Sequence, residues 1–193
     1  AMTFYQELDA MYEEVSIAKH GQTDIGVPIH VVLINSGKEE TLEDLRDSGK
    51  PVWLINNAIH PGEPDGISAS QMIARDIMGK KWLRRKLDKV AIAIVPFYNI
   101  GGVLNRNSTT RVNQNGPLEY GFRGNARHYD LNRDFIKSDT RNAKSFQEIF
   151  QLYDPDLLLD THVSNGSDYQ HVMTLVTSQN DKMGGELGEY IVI

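Results

Sequence analysis

The sequence predicts an α/β fold, a mixed and largely parallel sheet flanked by helices, and three observations carry that expectation. Short β-rich apolar runs alternate along the chain with segments of helical periodicity, as in strands joined by crossover helices. Two histidines, His60 and His162, end two of those runs, and that edge of an α/β sheet is where ligands bind. The 193 residues hold no internal repeat, low-complexity tract or linker, so a single domain over residues 1–193 is expected.

Taken in order, the chain opens with Phe4, Leu8, Met11, Tyr12 and Val15 at three- and four-residue spacing, an amphipathic helix. His30–Ile34 (HVVLI) and Val52–Ile59 (VWLINNAI) read as buried strands. A helix starts at Ser68, where Ser68 and Gln71 form a capping-box pattern and Ala69, Met72, Ile73 and Ile77 make one apolar face. The basic run Lys80, Lys81, Arg84, Arg85 and Lys86 behind it reads as a solvated helix face. Val90–Phe97 (VAIAIVPF) is a further strand. From Asn99 to His128 the chain is rich in Asn, Gly and Arg and lacks periodicity, and a loop that long in a compact domain is usually functional or disordered. A second long helix begins near Asp139 and uses Ala143, Phe146, Ile149, Phe150 and Tyr153. It stops at Asp154-Pro155, because proline disfavours helical geometry in the residue before it. Leu157–Thr161 (LLLDT) and Val172–Val176 (VMTLV) complete the strands.

Composition narrows the chemistry. Zero cysteines exclude disulfides, thiolate zinc sites, iron–sulfur clusters and a cysteine nucleophile, so any metal must be held by His, Asp and Glu. A net charge of −6, from 26 acidic and 20 basic residues, weighs against a nucleic-acid partner. No apolar run approaches the ~20 residues of a membrane-spanning helix. The first residues show no basic stretch followed by an apolar one.

The segment His60-Pro61-Gly62-Glu63 places an imidazole and a carboxylate three residues apart on a tight turn, with Pro61 presetting φ and Gly62 supplying conformational freedom. With His162, 99 residues beyond Glu63, the set is two His and one Glu. That leaves a fourth tetrahedral position for water, the composition of a catalytic zinc site. Asp160 is a nearby carboxylate, but on an ideal strand it points the same way as His162, so whether it orients a ligand is open. A lone H-x-x-E is a weak signal, and a strand-end histidine is commonly a hydrogen-bonded structural residue. A third block raises the metal reading: Asp130-Leu131-Asn132-Arg133-Asp134-Phe135 combines a guanidinium fork with a neighbouring amide donor, a pairing suited to a carboxylate. Asn105-Arg106-Asn107 and Thr110-Arg111-Val112-Asn113 add further guanidinium groups, read either as a solvated basic loop or as an anion clamp beside the metal. Asn107-Ser108-Thr109 and Asn165-Gly166-Ser167 match the glycosylation sequon, which has meaning only in a eukaryotic secretory setting. His171 reads as structural, and His20, His30 and His128 carry no usable signal.

HPGE, a long gap, DLNRDF and LLDTH in that order resemble the zinc carboxypeptidase family, metallopeptidases of the carboxypeptidase A type, from about Val52 to His171. The resemblance implies an α/β sandwich holding one Zn²⁺ on His60, Glu63 and His162, and removal of a C-terminal residue from peptides by metal-activated water. It implies that Arg111, in TTRVN, polarises the scissile carbonyl and stabilises its oxyanion, with Arg106, Arg123 and Arg127 competing for that role in the same region. Asn132 and Arg133 would bind the terminal carboxylate of a peptide or acyl-amino-acid substrate. Two departures stand out. Gly62 occupies the position where digestive members usually carry an arginine that touches bound peptide. The family's general-base glutamate and substrate-capping tyrosine lie well downstream of the last ligand, whereas 31 residues follow His162, and Glu186 and Glu189 lack the expected context. A domain cut short at its C-terminus, with its general base not identified, is therefore expected. Acyl-amino-acid deacylases of the aspartoacylase and succinylglutamate desuccinylase type share H-x-x-E, D-L-N-R and D-x-H, and are the second reading. A non-catalytic module that binds zinc and carboxylates is the third. The resemblance leans toward a secreted or periplasmic setting, and the sequence itself leaves the compartment open.

Overall fold

The computed structural model of the chain describes residues 1–39, 41–111, 116–164 and 169–191. Asn113 and the sequon at Asn165 therefore lie outside the described residues. Helix α1 (Met2–Met11) leads into strands β1 (Val15–His20) and β2 (Ile29–Ile34), then α2 (Leu42–Asp47) and β3 (Val52–Asn56). Next come α3 (Asp65–Gly79), α4 (Lys81–Arg84), β4 (Ala91–Val95) and α5 (Ile100–Leu104). A two-residue ladder of β5 (Arg106–Asn107) and β6 (Tyr120–Gly121) precedes α6 (Arg141–Tyr153) and β7 (Leu157–Asp160), and α7 (Asn180–Met183) and α8 (Gly185–Ile191) follow.

The main sheet runs β1-β2-β4-β3-β7, with β1, β2 and β4 paired antiparallel and β3 parallel to both β4 and β7. Alternation along the strands supplies one core to each face. Ala91, Ala93 and Val95 of β4, with Val52 and Leu54 of β3, pack against Leu45 of α2 and Phe146, Ile149 and Tyr153 of α6. Ile92 and Ile94, with Ile55, pack against Tyr5 and Leu8 of α1 and Ala74, Ile77 and Met78 of α3. The result is the sandwich of helices about a mixed sheet that the sequence predicts, and within it the parallel strands β3 and β7 end side by side.

Several boundaries differ for local reasons. The first helix stops at Met11, and Val15 instead starts β1, where it pairs with Ile34. Strand β3 ends at Asn56 rather than Ile59, because Ala58 takes a left-handed φ of 58° that no strand accommodates. Helix α3 begins at Asp65 behind Pro64, so Ser68 lies inside the first turn and its capping box is not used. Helix α6 follows expectation: Thr140 caps it through the Ala143 N–H, and Asp154 ends it in the left-handed conformation before Pro155. Val172–Val176 forms no strand, and its apolar side chains are exposed.

Candidate metal centre

The centre forms just past the C-terminal ends of β3 and β7. The His60 carbonyl accepts the Glu63 N–H at 2.9 Å, closing the tight turn expected for HPGE. Gly62 serves this turn differently from expectation: its φ is not left-handed, and the need is for space. A Cβ at residue 62 would collide with the Arg111 side chain and come within 3.1 Å of the Gly121 carbonyl oxygen.

His60 and Glu63 are each only 2% exposed, while the His162 side chain keeps 33% of its surface in contact with solvent. The ligand atoms of the three lie within 4.8 Å of one another. His60 Nδ1 is 3.1 Å from Glu63 Oε1 and His162 Nδ1 is 3.0 Å from Glu63 Oε2. Those separations are close to the ~3.3 Å between ligand atoms sharing one tetrahedral zinc at ~2.0–2.1 Å each. The far ring nitrogens are held too. His60 Nε2 is 3.0 Å from Asp130 Oδ1, and His162 Nε2 is 2.8 Å from Asp160 Oδ2. An ionised carboxylate only accepts, so Asp130 and Asp160 favour a proton on each Nε2, and a cation at the centre would take the place of any proton on Nδ1. Two imidazole nitrogens and a carboxylate converging on one point could hold a cation, and this donor set of His nitrogens and a Glu oxygen fits Zn²⁺.

With no cation present, hydrogen bonds donated to Asp160 and then to Glu63 push the His162 ring up to about 9, favouring its charged form. Burial alone would raise the Glu63 carboxyl, but hydrogen bonds from His162, His60 and the Val163 N–H outweigh it and hold Glu63 well below the usual carboxylate range. Asp130 is likewise lowered, its burial offset by His60 and the Asn132 N–H.

Of the four competing arginines, two reach the centre. Arg111, 8% exposed, donates from Nη1 to Glu63 Oε1 at 3.0 Å. Arg123, 40% exposed, lies 3.8 Å from the same oxygen and grips Asp130 Oδ2 through Nε and Nη2 at 3.1 and 3.0 Å. Arg106 instead donates to the Glu119 carbonyl, and Arg127 sits over the Tyr129 ring. Asn132 and Arg133 lie on the 3₁₀ turn Leu131–Arg133, which Asp130 anchors beside His60. Asn132 is half-buried and Arg133 exposed, its Nη1 donating to the Asn132 carbonyl. Glu186 and Glu189 are exposed on α8, with no hydrogen bond to the centre among the described residues.

Asp130 is the functional residue that the sequence did not single out. It opens the DLNRDF block, but its partner His60 is 70 residues away, so no local pattern reveals the pairing. Asp160 does meet His162, because the chain leaves the strand after Asp160 and the ring turns back toward the carboxylate.

A sequence profile of the family described as zinc carboxypeptidase matches residues 2–184. The probable carboxypeptidase 2 of Trichophyton verrucosum is 27% identical over 128 residues, which cover 66% of this chain and 22% of that protein. Carboxypeptidase 2 of Trichophyton rubrum is 26% identical over the same length, covering 21% of that protein. Among solved structures, a metallo-carboxypeptidase from Burkholderia cenocepacia superposes with a TM-score of 0.65 at 18% identity, covering 93% of this chain and 46% of that one. A metallo-carboxypeptidase from Pseudomonas aeruginosa, in complex with (2-guanidinoethylmercapto)succinic acid, gives 0.63 at 20% identity, over 85% and 39%. This chain thus spans about a fifth of the length of the curated relatives it matches and under half of those solved structures.

Proposed function

Because this chain belongs to the zinc carboxypeptidase family, we propose that residues 1–193 are part of one catalytic domain that removes the C-terminal residue of a peptide with a free carboxylate. The observation that carries the reading is the pair of Nδ1 atoms converging on Glu63, each ring fixed from behind by an aspartate. His60, Glu63 and His162 would hold the metal. A bound Zn²⁺ supplies Lewis acidity and lowers the pKa of its water. Asp130 and Asp160 keep the histidine protons on Nε2. A guanidinium from the Arg111 and Arg123 pair, both already at the centre, meets the negative charge that grows on the scissile carbonyl oxygen. Asn132 and Arg133 take the substrate's terminal carboxylate through an amide donor and a guanidinium fork. Their place on a turn anchored beside His60, with Arg133 exposed, supports that role.

The test is binding and cleavage of a short peptide with a free C-terminus against the same peptide with a C-terminal amide. Hydrogen bonds to charged groups contribute about 1.5–3 kcal/mol, so the amide should be handled roughly 10–100-fold less well. Equal handling of acid and amide would remove the carboxylate clamp. Hydrolysis of N-acyl amino acids with no peptide cleavage would replace the peptidase by a deacylase.

A further inference from the structure

Each of the three proposed ligands is delivered by a different element: His60 by the segment leaving β3, Glu63 by the turn entering α3, and His162 by the segment leaving β7. The three meet at one fully buried side chain, Asn57. Its backbone extends β3 toward the turn, donating to the Val95 carbonyl at 3.0 Å and accepting from the Tyr98 N–H at 2.9 Å. Its side chain faces the other two elements. Asn57 Nδ2 donates to Ser70 Oγ on α3 at 2.9 Å, and this contact is buried. Asn57 Oδ1 accepts from Thr161 Oγ1, the residue before His162, also at 2.9 Å. The Thr161 N–H adds a bond to the Asn56 carbonyl at 3.1 Å, prolonging the β3–β7 ladder by one residue. Gly66, in the first turn of α3, lets the helix come this close: a Cβ there would collide with the Thr161 side chain and lie 2.8 Å from Asn57 Oδ1.

We infer that Asn57 is the positioning residue of the metal centre, the single amide that sets the helix following Glu63 and the strand end preceding His162 in register with the segment carrying His60. The inference rests on the metal-centre reading above. Asn57 touches none of the ligand atoms, so it acts through Ser70 and Thr161. An amide suits the task because it donates on one side and accepts on the other, and a buried donor or acceptor left unpaired is costly. A hydrophobic residue of the same size would fill the space and leave the three elements free to slide by the few tenths of an ångström that ligand geometry does not tolerate.

The experiment measures the zinc dissociation constant by chelator competition and the visible absorption spectrum of the Co²⁺-substituted chain, beside the thermal midpoint of the metal-free chain. Asn57→Leu should weaken zinc about 10–100-fold, the range found for residues that orient metal ligands from behind. Thr161→Val should weaken it several-fold and shift the Co²⁺ bands, while Thr161→Ser, which restores the hydroxyl, should return both to wild type. If Asn57→Leu fails to fold, the Thr161→Val and Thr161→Ser pair decides. Variants that lower the thermal midpoint yet leave zinc affinity and Co²⁺ bands unchanged would overturn the positioning role alone. No zinc uptake by the unmodified chain would overturn the metal centre and the positioning role with it.

Discussion

Which ring nitrogen a histidine offers decides what it can hold, and two aspartates make that choice for His60 and His162. Asp130→Ala leaves His60 free to place its proton on either nitrogen, so zinc affinity, measured by chelator competition, should fall about 10–100-fold while the fold persists. A second residue-scale prediction concerns Gly62. Adding one methyl group there drives Cβ into the Arg111 stem, so Gly62→Ala should destabilise the chain by about 1–3 kcal/mol in urea unfolding. The three residues that meet at the centre were legible in the sequence because HPGE is local and DTH follows an unmistakable apolar strand. Of the outer partners, Asp160 was in view with its role open, and Asp130 was not. Asp130 acts across 70 residues, and choosing among four arginines in an aperiodic stretch needed the fold to carry Arg106 and Arg127 away from the centre.

At the scale of elements, α6 is held at its start by a buried relay. Thr140 caps the helix through the Ala143 N–H, and its own N–H and hydroxyl donate to Asp134 Oδ2 at 3.0 and 2.6 Å, while the Asp139 N–H donates to Oδ1. Burial would raise the Asp134 carboxyl, but these hydrogen bonds outweigh it and leave Asp134 lowered. A carboxyl lowered in the folded state contributes stability that is present above the unfolded value of about 3.9 and lost as pH falls through the folded one. Asp134→Asn should therefore be clearly less stable than wild type at pH 7 in urea unfolding, with the gap closing as the pH is taken down toward 3. At the other end, Asp154 holds φ 43° at an exposed position, so Asp154→Gly should raise stability by about 0.5–1 kcal/mol. Helix α6 and the central strands were readable because their periodicity is long or their apolar runs are dense. Strand β1 was hidden because Val15 also continues the helical spacing of α1, and α2 is only six residues long. VMTLV misled because β-propensity expresses fit to a neighbouring strand, and the segment pairs with none of the strands of the main sheet.

For the molecule as a whole, β7 is an edge of the sheet among the described residues, and its Leu157 and Leu158 are exposed beside Phe150 of α6. Three leucines precede Asp160 on that edge, and an exposed apolar edge is a template for pairing. The chain should self-associate with rising concentration in light scattering, and Leu157→Lys should suppress this without touching zinc uptake. The layer order, the parallel β3–β7 pair and the crevice beyond their ends all follow from alternating apolar runs, and they bring residues 60, 63 and 162 to one point. That convergence is the central claim, and metal content tests it most directly. Elemental analysis of the purified chain should find about one zinc per chain in wild type and in Arg133→Ala, and close to none in His60→Ala or His162→Ala. Zinc retained in both histidine variants, or missing from the wild type, would contradict it.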